Sequence, residues 1–327
     1  MKRREFIRFI GGAAMAWPFA ARGQHSAMPV IGFLGILSSD LYEARLRAFR
    51  QGLKETNYVE GQNVEIEYRW AEGQNNRLPV LATELVQRRV AVIAASGTAA
   101  AVAAKAATAT IPIVFGTAAD PVEVGLVASL NRTGGNMTGV TNLNTEIGPK
   151  RLELLHAVVP TTKIIALLVN PTIPTIAEPL SRDLQAAAST LGLKLRVLHA
   201  STESDFDAVF ATLVKVQAGA LVIGPDTFFT ARSKQLATLT VRHAIPTIFQ
   251  YREFATAGGL MSYGGSNAEY YRLIGVYAGK ILRGEKPDDL PIQRSTKIEF
   301  IVNLKAANAL GLTVPPSVLA LADEVIE

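Results

Sequence analysis

The chain has 327 residues and a formal net charge of +5, and 49% of its residues are hydrophobic. It contains no cysteine, which excludes disulfides, thiolate metal sites and cysteine nucleophiles. About 300 residues remain after the N-terminal segment described next, enough for two compact lobes, each with its own core.

The first 23 residues have the layout of an export signal. Lys2-Arg3-Arg4 precedes a short apolar run at residues 9–21, and Ala21-Arg22-Gly23 puts small residues at positions −3 and −1 of a cut after Gly23. The paired arginines resemble a bacterial twin-arginine signal. The alternative, a membrane anchor, is disfavoured because the run is about 13 residues and spanning a bilayer takes roughly 20. We expect cleavage near Gly23 and a periplasmic mature protein.

Most of the basic charge belongs to that signal. Residues 1–23 carry five basic residues and one acidic residue, so the rest of the chain is left at about +1. The net charge is therefore no argument for nucleic-acid binding, and we expect no nucleic-acid partner. No other apolar stretch reaches spanning length, so we expect the mature protein to be soluble.

Short aliphatic runs alternate with helical stripes along the rest of the chain. The first half has predicted strands at residues 29–34, 64–68, 90–95 and 111–115. The second half has predicted strands at residues 164–169, 193–198 and 220–223. Strands that alternate with helices of this length predict parallel sheets with helices on both faces.

Two pairs of segments indicate that the halves are copies of one pattern. Residues 81–98 match residues 210–227 at a constant offset of 129, and Ile111–Phe115 matches Ile245–Phe249. We therefore predict an α/β protein with two doubly wound parallel-sheet lobes rather than one long sheet. Chance similarity between α/β units is the alternative.

The lobes are predicted to be discontinuous in sequence. A strand at residues 258–263 and a long helix from about residue 267 to 282 follow the completed repeat, and the simplest course returns them to the first lobe. The division is then a leader, 1–27; a first lobe, 28–141 plus 252–285; and a second lobe, 142–251 plus 286–327. The sequence does not fix the lobe of the last strand, at residues 298–302.

Polar residues follow the carboxyl ends of the predicted strands, where parallel α/β sheets bind ligands. The candidate ligand-binding residues are Ser38, Ser39, Ser96, Gly97, Thr98, Thr117, Asp226, Tyr251 and Tyr263. Hydroxyls and helix N-termini suit a carboxylate, and Asp226 suits an ammonium group. The alternative is that the Ser and Thr residues cap helices and that Asp226 is a turn or cap residue. Arg252 and Glu253 are candidates for a mutual ion pair at the hinge.

Enzyme signatures are missing from the sequence. The glycines after the first strand do not have dinucleotide-binding spacing, and there is no P-loop, zinc-protease motif or nucleophile elbow. The four histidines are not spaced for a metal. We expect a binding protein with no catalytic residues, metal or cofactor. An exported α/β enzyme that uses Asp120 or Asp226 as a base is the weaker alternative.

A set of segments spread over residues 28–316 carries a resemblance to a known family. They are Phe49–Leu53, Tyr58–Val64, Glu67–Ala71, Ile111–Phe115, Asp120–Val122, Gly134–Val140, Lys150–Leu155, Ala278–Pro287 and Asn303–Ala307. Together they resemble ABC-transporter substrate-binding proteins of the bacterial family that includes tryptophan-binding receptors.

The resemblance implies a type I periplasmic binding fold, with lobes joined by a three-strand hinge that closes on a small molecule. A carboxylate-bearing ligand is expected, either an amino acid or an aromatic or aliphatic acid, together with an ABC permease in the inner membrane. We expect a monomer, and a receptor for a sensor kinase is the alternative. The family's site residues carried over are Ser38, Ser96, Thr98, Thr117, Asp226 and Tyr251.

Overall fold

The computed structural model describes residues 28–142 and 144–327, so the predicted export signal lies outside the described residues. The first elements are β1 Val30–Gly35, α1 Ser39–Glu55, β2 Glu65–Trp70, α2 Leu78–Gln87, β3 Val92–Ser96, α3 Thr98–Ala107, β4 Ile113–Thr117 and β5 Met137–Thr141. The next are α4 Gly148–Val158, β6 Ile164–Val169, α5 Pro174–Thr190, β7 Lys194–His199, α6 Asp205–Lys215, β8 Ala220–Ile223, α7 Thr227–Ala231, α8 Ser233–Arg242, β9 Thr247–Phe249, α9 Arg252–Thr256 and β10 Met261–Gly265. The last are α10 Asn267–Leu282, β11 Gln293–Arg294, β12 Ile298–Asn303, α11 Leu304–Ala309, α12 Pro316–Leu319 and β13 Glu324–Ile326, with short 3-10 helices at Asn75–Arg77 and Pro287–Asp289.

The strands form two sheets, one in each lobe. The first has the order β11-β5-β4-β3-β1-β2, and all its pairs are parallel. The second has the order β13-β12-β10-β9-β8-β6-β7, and it is parallel except where β10 meets β12. The predicted α/β class with two parallel-sheet lobes is confirmed.

Both faces of the second sheet are covered by helices, so its central strands are apolar throughout. In β6, Ile165, Leu167 and Val169 belong to the core on one face, and Ala166 and Leu168 belong to the core on the other. Alternate side chains of a strand point to opposite faces, and a sheet buried on both sides therefore needs an unbroken hydrophobic run. No helix among the described residues is long and apolar enough to cross a membrane.

The chain crosses between the lobes at Asn142 and residues 144–147, at Ser266 and at residues 295–297. Backbone hydrogen bonds join these crossings at 2.8 Å: the Ser295 N–H donates to the Thr141 carbonyl, and the Ser266 N–H donates to the Lys297 carbonyl. The three crossings therefore lie side by side, as a three-strand hinge requires.

Arg151, on α4, links the first crossing to β10 of the second lobe. Its side chain is completely buried, its Nε donates to the Tyr263 carbonyl at 2.8 Å, and another guanidinium nitrogen donates to the Asn144 carbonyl. The Asn144 Oδ1 in turn accepts from the Gly265 N–H at 2.9 Å. Burial lowers the pKa of Arg151 to about 10, which still leaves a cation at neutral pH.

The predicted lobe boundaries need a correction near residue 266. Residues 252–265 were assigned to the first lobe, but Met261 in β10 pairs in parallel with Ile248 in β9, which adds β10 to the second sheet. Conversely, β11 pairs with β5 in the first sheet, although residues 286–327 were assigned to the second lobe. A short apolar run predicts a strand but not its neighbour, so the alternation of elements did not reveal these exchanges. The strand β12 lies in the second sheet.

Helix α10 packs against α1 on the first sheet with almost no space between the two backbones. A Cβ atom placed on Gly52 would lie 1.9 Å from the Arg272 carbonyl oxygen, and one on Gly275 would lie 2.1 Å from the Phe49 carbonyl oxygen. Only glycine permits this approach, because the atoms that a methyl group would meet are backbone atoms.

We expect Gly275→Ala to destabilise the protein by about 1–3 kcal/mol, the usual penalty for overpacking. Alanine is the better helix former by about 1 kcal/mol, so a loss of stability would be due to the collision with α1. Urea unfolding measures the difference. Gly135→Ala is the control, because a Cβ there would have no atom within 4 Å. Equal stability of the two variants would contradict the close approach.

Candidate ligand-binding site

A cavity of about 60 Å³ lies between the lobes. One water needs about 10–15 Å³ of such space, so the cavity has room for roughly four to six water-sized groups. Its walls on the first-lobe side include Ile36, Leu37, Tyr42, Arg45, Ser96, Gly97, Thr98, Tyr270 and Tyr271. Its walls on the second-lobe side include Ile173, Ile176, Pro225, Asp226, Thr227, Thr230, Gln250 and Tyr251.

Five of the residues expected from the sequence lie in these walls: Ser96, Gly97, Thr98, Asp226 and Tyr251. They come from the end of β3 in the first lobe and from the ends of β8 and β9 in the second, on opposite sides of the cavity.

The other four expected residues do not line the cavity. Ser38 is half-buried before α1, and Ser39 is exposed. Thr117 is fully buried behind the site, where its hydroxyl bonds to that of Thr98 at 2.8 Å. The ring of Tyr263 packs edge-on against Phe300 within the second lobe, with the ring centroids 5.8 Å apart.

The cavity wall on the first lobe is built around the start of α3. Gly97 has a φ of +101°, a conformation that favours glycine, and Thr98 is the first residue of the helix. The first N–H groups of a helix lack partners within it and carry a partial positive charge, which suits an anion. Across the cavity, Thr227 lies so near that a Cβ on Gly97 would be 3.5 Å from its methyl group.

The Ser96 hydroxyl is held by two phenols that the sequence analysis did not identify. It lies 2.6 Å from the hydroxyl of Tyr271 on α10 and 3.1 Å from that of Tyr42 on α1. Burial raises the pKa of Tyr271 well above its ordinary value, so the phenol stays neutral. Ser96 thus orders two aromatic walls of the cavity, and its hydroxyl is already engaged.

Asp226 caps α7 with one of its carboxylate oxygens. Its Oδ1 accepts from the backbone N–H groups of Phe228 and Phe229 at 2.7 and 3.2 Å, and from the Asn170 side chain at 3.4 Å. The capping alternative is therefore what the local structure shows, yet the residue also lines the cavity. Burial raises the pKa of Asp226, and the hydrogen bonds from Asn170 and the backbone oppose that shift.

Arg45 is the cation of the cavity, and its side chain is only 6% exposed. Its guanidinium pairs with Glu253 on α9 at 3.1 Å. Arg252 instead pairs with Glu324 at 2.8 Å, so the expected Arg252–Glu253 pair is wrong. Neighbours in sequence at the start of a helix point in different directions, which separates these two side chains.

Tyr251 lies where the cavity meets the first crossing. Its hydroxyl accepts from the Asn142 side chain at 3.1 Å, and Asn142 also lines the cavity. Burial raises the pKa of Tyr251, despite the opposing charge of Arg45. The hinge and the ligand site therefore share a hydrogen bond.

The residues that the sequence analysis missed stand on helices. Tyr42, Arg45 and Tyr271 occupy inward positions of α1 and α10, where tyrosines in an apolar stripe are typical of core residues. The available signal was Arg45, a charged residue three positions after Tyr42 and next to Leu46 on a buried face. A charged side chain on a buried helix face indicates either a binding site or an ion pair, because charged residues are seldom buried otherwise.

Residues 30–326 match the family model described as ABC transporter substrate binding protein. The chain belongs to this family. The match spans both lobes and all three crossings, and it agrees with the resemblance in the sequence. The two lobes are those of the type I periplasmic binding fold.

Relatives of this chain include one protein named for an amino acid and one solved in complex with an amino acid. A curated "Tyrosine-binding protein" of Clostridioides difficile is 25% identical over 284 residues, which cover 86% of this chain and 81% of the relative. A conserved domain protein of Vibrio cholerae has a TM-score of 0.84 at 26% identity, covering 91% of this chain and 99% of that one. An ABC domain of Streptococcus pneumoniae in complex with L-Trp has a TM-score of 0.83 at 24% identity, with the same coverage.

We expect the free energy of unfolding of Asp226→Asn, measured relative to the wild type, to increase as pH rises from acid to neutral. The raised pKa means that the folded state binds the Asp226 proton more tightly than the unfolded chain, so stability falls as pH rises through that pKa. Asparagine removes this titration and retains an oxygen that can cap α7. Urea unfolding at several pH values measures the difference.

Asp205→Asn provides a control of opposite sign. Backbone hydrogen bonds from Ser201 and Thr202 lower the pKa of Asp205, so its contribution to stability is present at neutral pH and lost in acid. That variant should be less stable than the wild type at neutral pH. A pH-independent difference for Asp226→Asn would contradict the assignment.

Proposed function

We propose that this substrate-binding protein receives a zwitterionic amino acid with an apolar or aromatic side chain. The observation that carries the proposal is that groups of opposite charge line one cavity. The start of α3, with its partial positive charge, lies on the first lobe, and the buried carboxylate of Asp226 lies on the second. The N–H groups of α3 suit the ligand carboxylate, and Asp226 suits the ammonium group.

The same pairing couples binding to closure of the hinge. Each end of the amino acid would contact a different lobe, so both contacts form only when the lobes approach. The space between Thr227 and Gly97, which a single methyl group on Gly97 would fill, is that of lobes in this approached state.

The charges in the walls favour an amino acid over a simple acid. Arg45 is already paired with Glu253, whereas no cation among the described residues pairs with Asp226, the other charged group of the cavity walls. A carboxylic acid that lacks an amino group would leave that buried carboxylate with its hydrogen bonds from Phe228, Phe229 and Asn170 but with no cationic partner.

The remaining walls suit an apolar side chain. Ile36, Leu37, Ile173, Ile176 and Pro225 all line the cavity, together with the tyrosine rings. The names of the two relatives that mention tyrosine and L-Trp support an amino acid of this kind.

Delivery to an inner-membrane permease completes the proposal. Members of the family bind small molecules outside the cytoplasm and pass them to an ABC permease. We propose the same role for this chain, acting as a periplasmic monomer without catalytic activity of its own. The engagement of the Ser96 hydroxyl by two phenols supports a structural role for that serine over a nucleophilic one.

Calorimetry and thermal shift with the twenty amino acids should reveal one or a few ligands, with apolar or aromatic side chains. The deaminated acid of each ligand should bind about 10–100-fold more weakly, because a charge-assisted hydrogen bond to Asp226 contributes about 1.5–3 kcal/mol. Asp226→Asn should lose a similar factor for the amino acid and much less for the acid. The proposal fails if no amino acid binds, or if amino acid and acid bind alike.

Export by the twin-arginine route is proposed from Arg3 and Arg4, which lie outside the described residues. Replacing both by Lys keeps the charge and should abolish appearance of the mature protein in the periplasmic fraction. Arg8→Lys, outside the pair, is the matched control and should be exported normally. Unchanged export of the double variant would refute this route.

A further inference from the structure

The guanidinium of Arg45 stands in a cage of tyrosines drawn from both lobes. Its Cζ lies 5.6 Å from the ring centroid of Tyr42 and 5.9 Å from those of Tyr251 and Tyr271. Cation–π contacts at this range are favourable, and more so when the cation is desolvated, as it is here. The side chain is therefore held in one place in the approached state of the lobes.

The ion pair with Glu253 spans the two lobes. Arg45 belongs to α1 on the first sheet, whereas α9 belongs to the second lobe, where the Ala255 carbonyl accepts from the Asn303 side chain at 2.8 Å. Asn267, at the start of α10, also donates to the Glu253 carboxylate, at 3.2 Å. The group formed by these side chains is thus assembled only when the lobes meet.

A second cavity adjoins the first at this position. It has a volume of about 170 Å³, and its remaining walls include Ala44, Arg252, Glu253, Gly264 and Glu299. Arg45, Gln250, Tyr251 and Asn267 line both cavities. These four residues therefore form a partition between the ligand cavity and the larger space beside it.

We propose that Arg45 is a specificity-determining residue: it closes one end of the ligand cavity and thereby limits the length of the ligand. The inference rests on the proposed amino-acid site, and it identifies the residue that sets the length of the cavity in that site. Arg45 has the longest side chain of the partition, and its cation is matched by Glu253. It therefore acts as a wall, and the ligand has no need of a second carboxylate to neutralise it.

The other members of the partition do not replace Arg45. Tyr251 is fixed by its bond from Asn142, and Asn267 by its bond to Glu253. Gln250 donates to the Thr230 hydroxyl at 3.4 Å, so none of the three needs to move when Arg45 is shortened. Truncation of Arg45 to alanine joins the cavity of about 60 Å³ to that of about 170 Å³. A longer ligand would then fit with its ammonium group still at Asp226.

The test compares each of two amino acids with an extended form. O-Benzyl-L-tyrosine lengthens the side chain of L-tyrosine, and L-leucylglycine lengthens the carboxylate end of L-leucine. By calorimetry, the wild type should bind at least one parent about tenfold or more tightly than its extended partner. Arg45→Ala should reduce that ratio by about tenfold or more, through a gain in affinity for the longer ligand.

Two control variants distinguish the loss of the Arg45 side chain as a barrier from a change of charge or of the second cavity. Arg45→Lys keeps the length and the charge, and should still exclude the longer ligand. Arg252→Ala changes the second cavity only, where Arg252 pairs with the half-exposed Glu324, and should leave the ratio unchanged. If Arg45→Ala fails to melt cooperatively, Arg45→Met serves in its place and should give a smaller reduction of the same sign.

The results that overturn the inference differ from those that overturn the proposed function. If a parent amino acid binds but the folded Arg45 variant excludes the longer ligand as strongly as the wild type, Arg45 is not the wall. The same conclusion follows if the wild type already binds the longer ligand equally well. If none of the twenty amino acids binds the wild type, the amino-acid site itself is wrong and the inference falls with it.

Discussion

The contact of α1 with α10, backbone against backbone, is the constraint on which the ligand site depends. Gly52 and Gly275 let the two helices approach until no side chain fits between them. This position carries Tyr271 to within hydrogen-bond reach of Ser96, at the end of β3. It also places the start of α10, with Asn267, beside the carboxylate of the second lobe that pairs with Arg45. The packing of α1 against α10 in the first lobe thus determines the positions of Arg45 and Asn267, which contact Glu253 of the second lobe.

The sequence predicts this fold well because its evidence is local and repeated. Aliphatic runs alternating with helical stripes indicate two parallel sheets, and strand ends point to Ser96, Asp226 and Tyr251. What it cannot supply is strand adjacency, which is why β10 was assigned to the wrong lobe and Tyr263 to the site. Arg45 and Tyr271 were missed for a related reason. On a buried helix face, core packing and a cavity wall select similar residues, and only the partner across the gap distinguishes them.

Asp226 shows how a capping role and a binding role can coexist in one side chain. The backbone N–H groups of Phe228 and Phe229 both bond to the same oxygen, which orients the carboxylate against the start of α7. An oriented carboxylate loses less conformational freedom when it binds a ligand than a mobile one does. Burial makes its negative charge costly, and a cationic partner would relieve that cost. The residue is therefore poorly suited to stability alone and well suited to a ligand with an ammonium group.

A cavity whose walls come from two lobes also has a kinetic consequence. In the proposed site, a molecule held between Asp226 and the start of α3 would leave after the lobes separate, and that separation would break the Arg45–Glu253 pair. The dissociation rate constant then has a ceiling set by the opening of the protein rather than by the ligand's own contacts. Ligands of quite different affinity would then have nearly the same residence time once they are enclosed. They would differ mainly in the association rate constant, that is, in the fraction of encounters that lead to closure of the lobes.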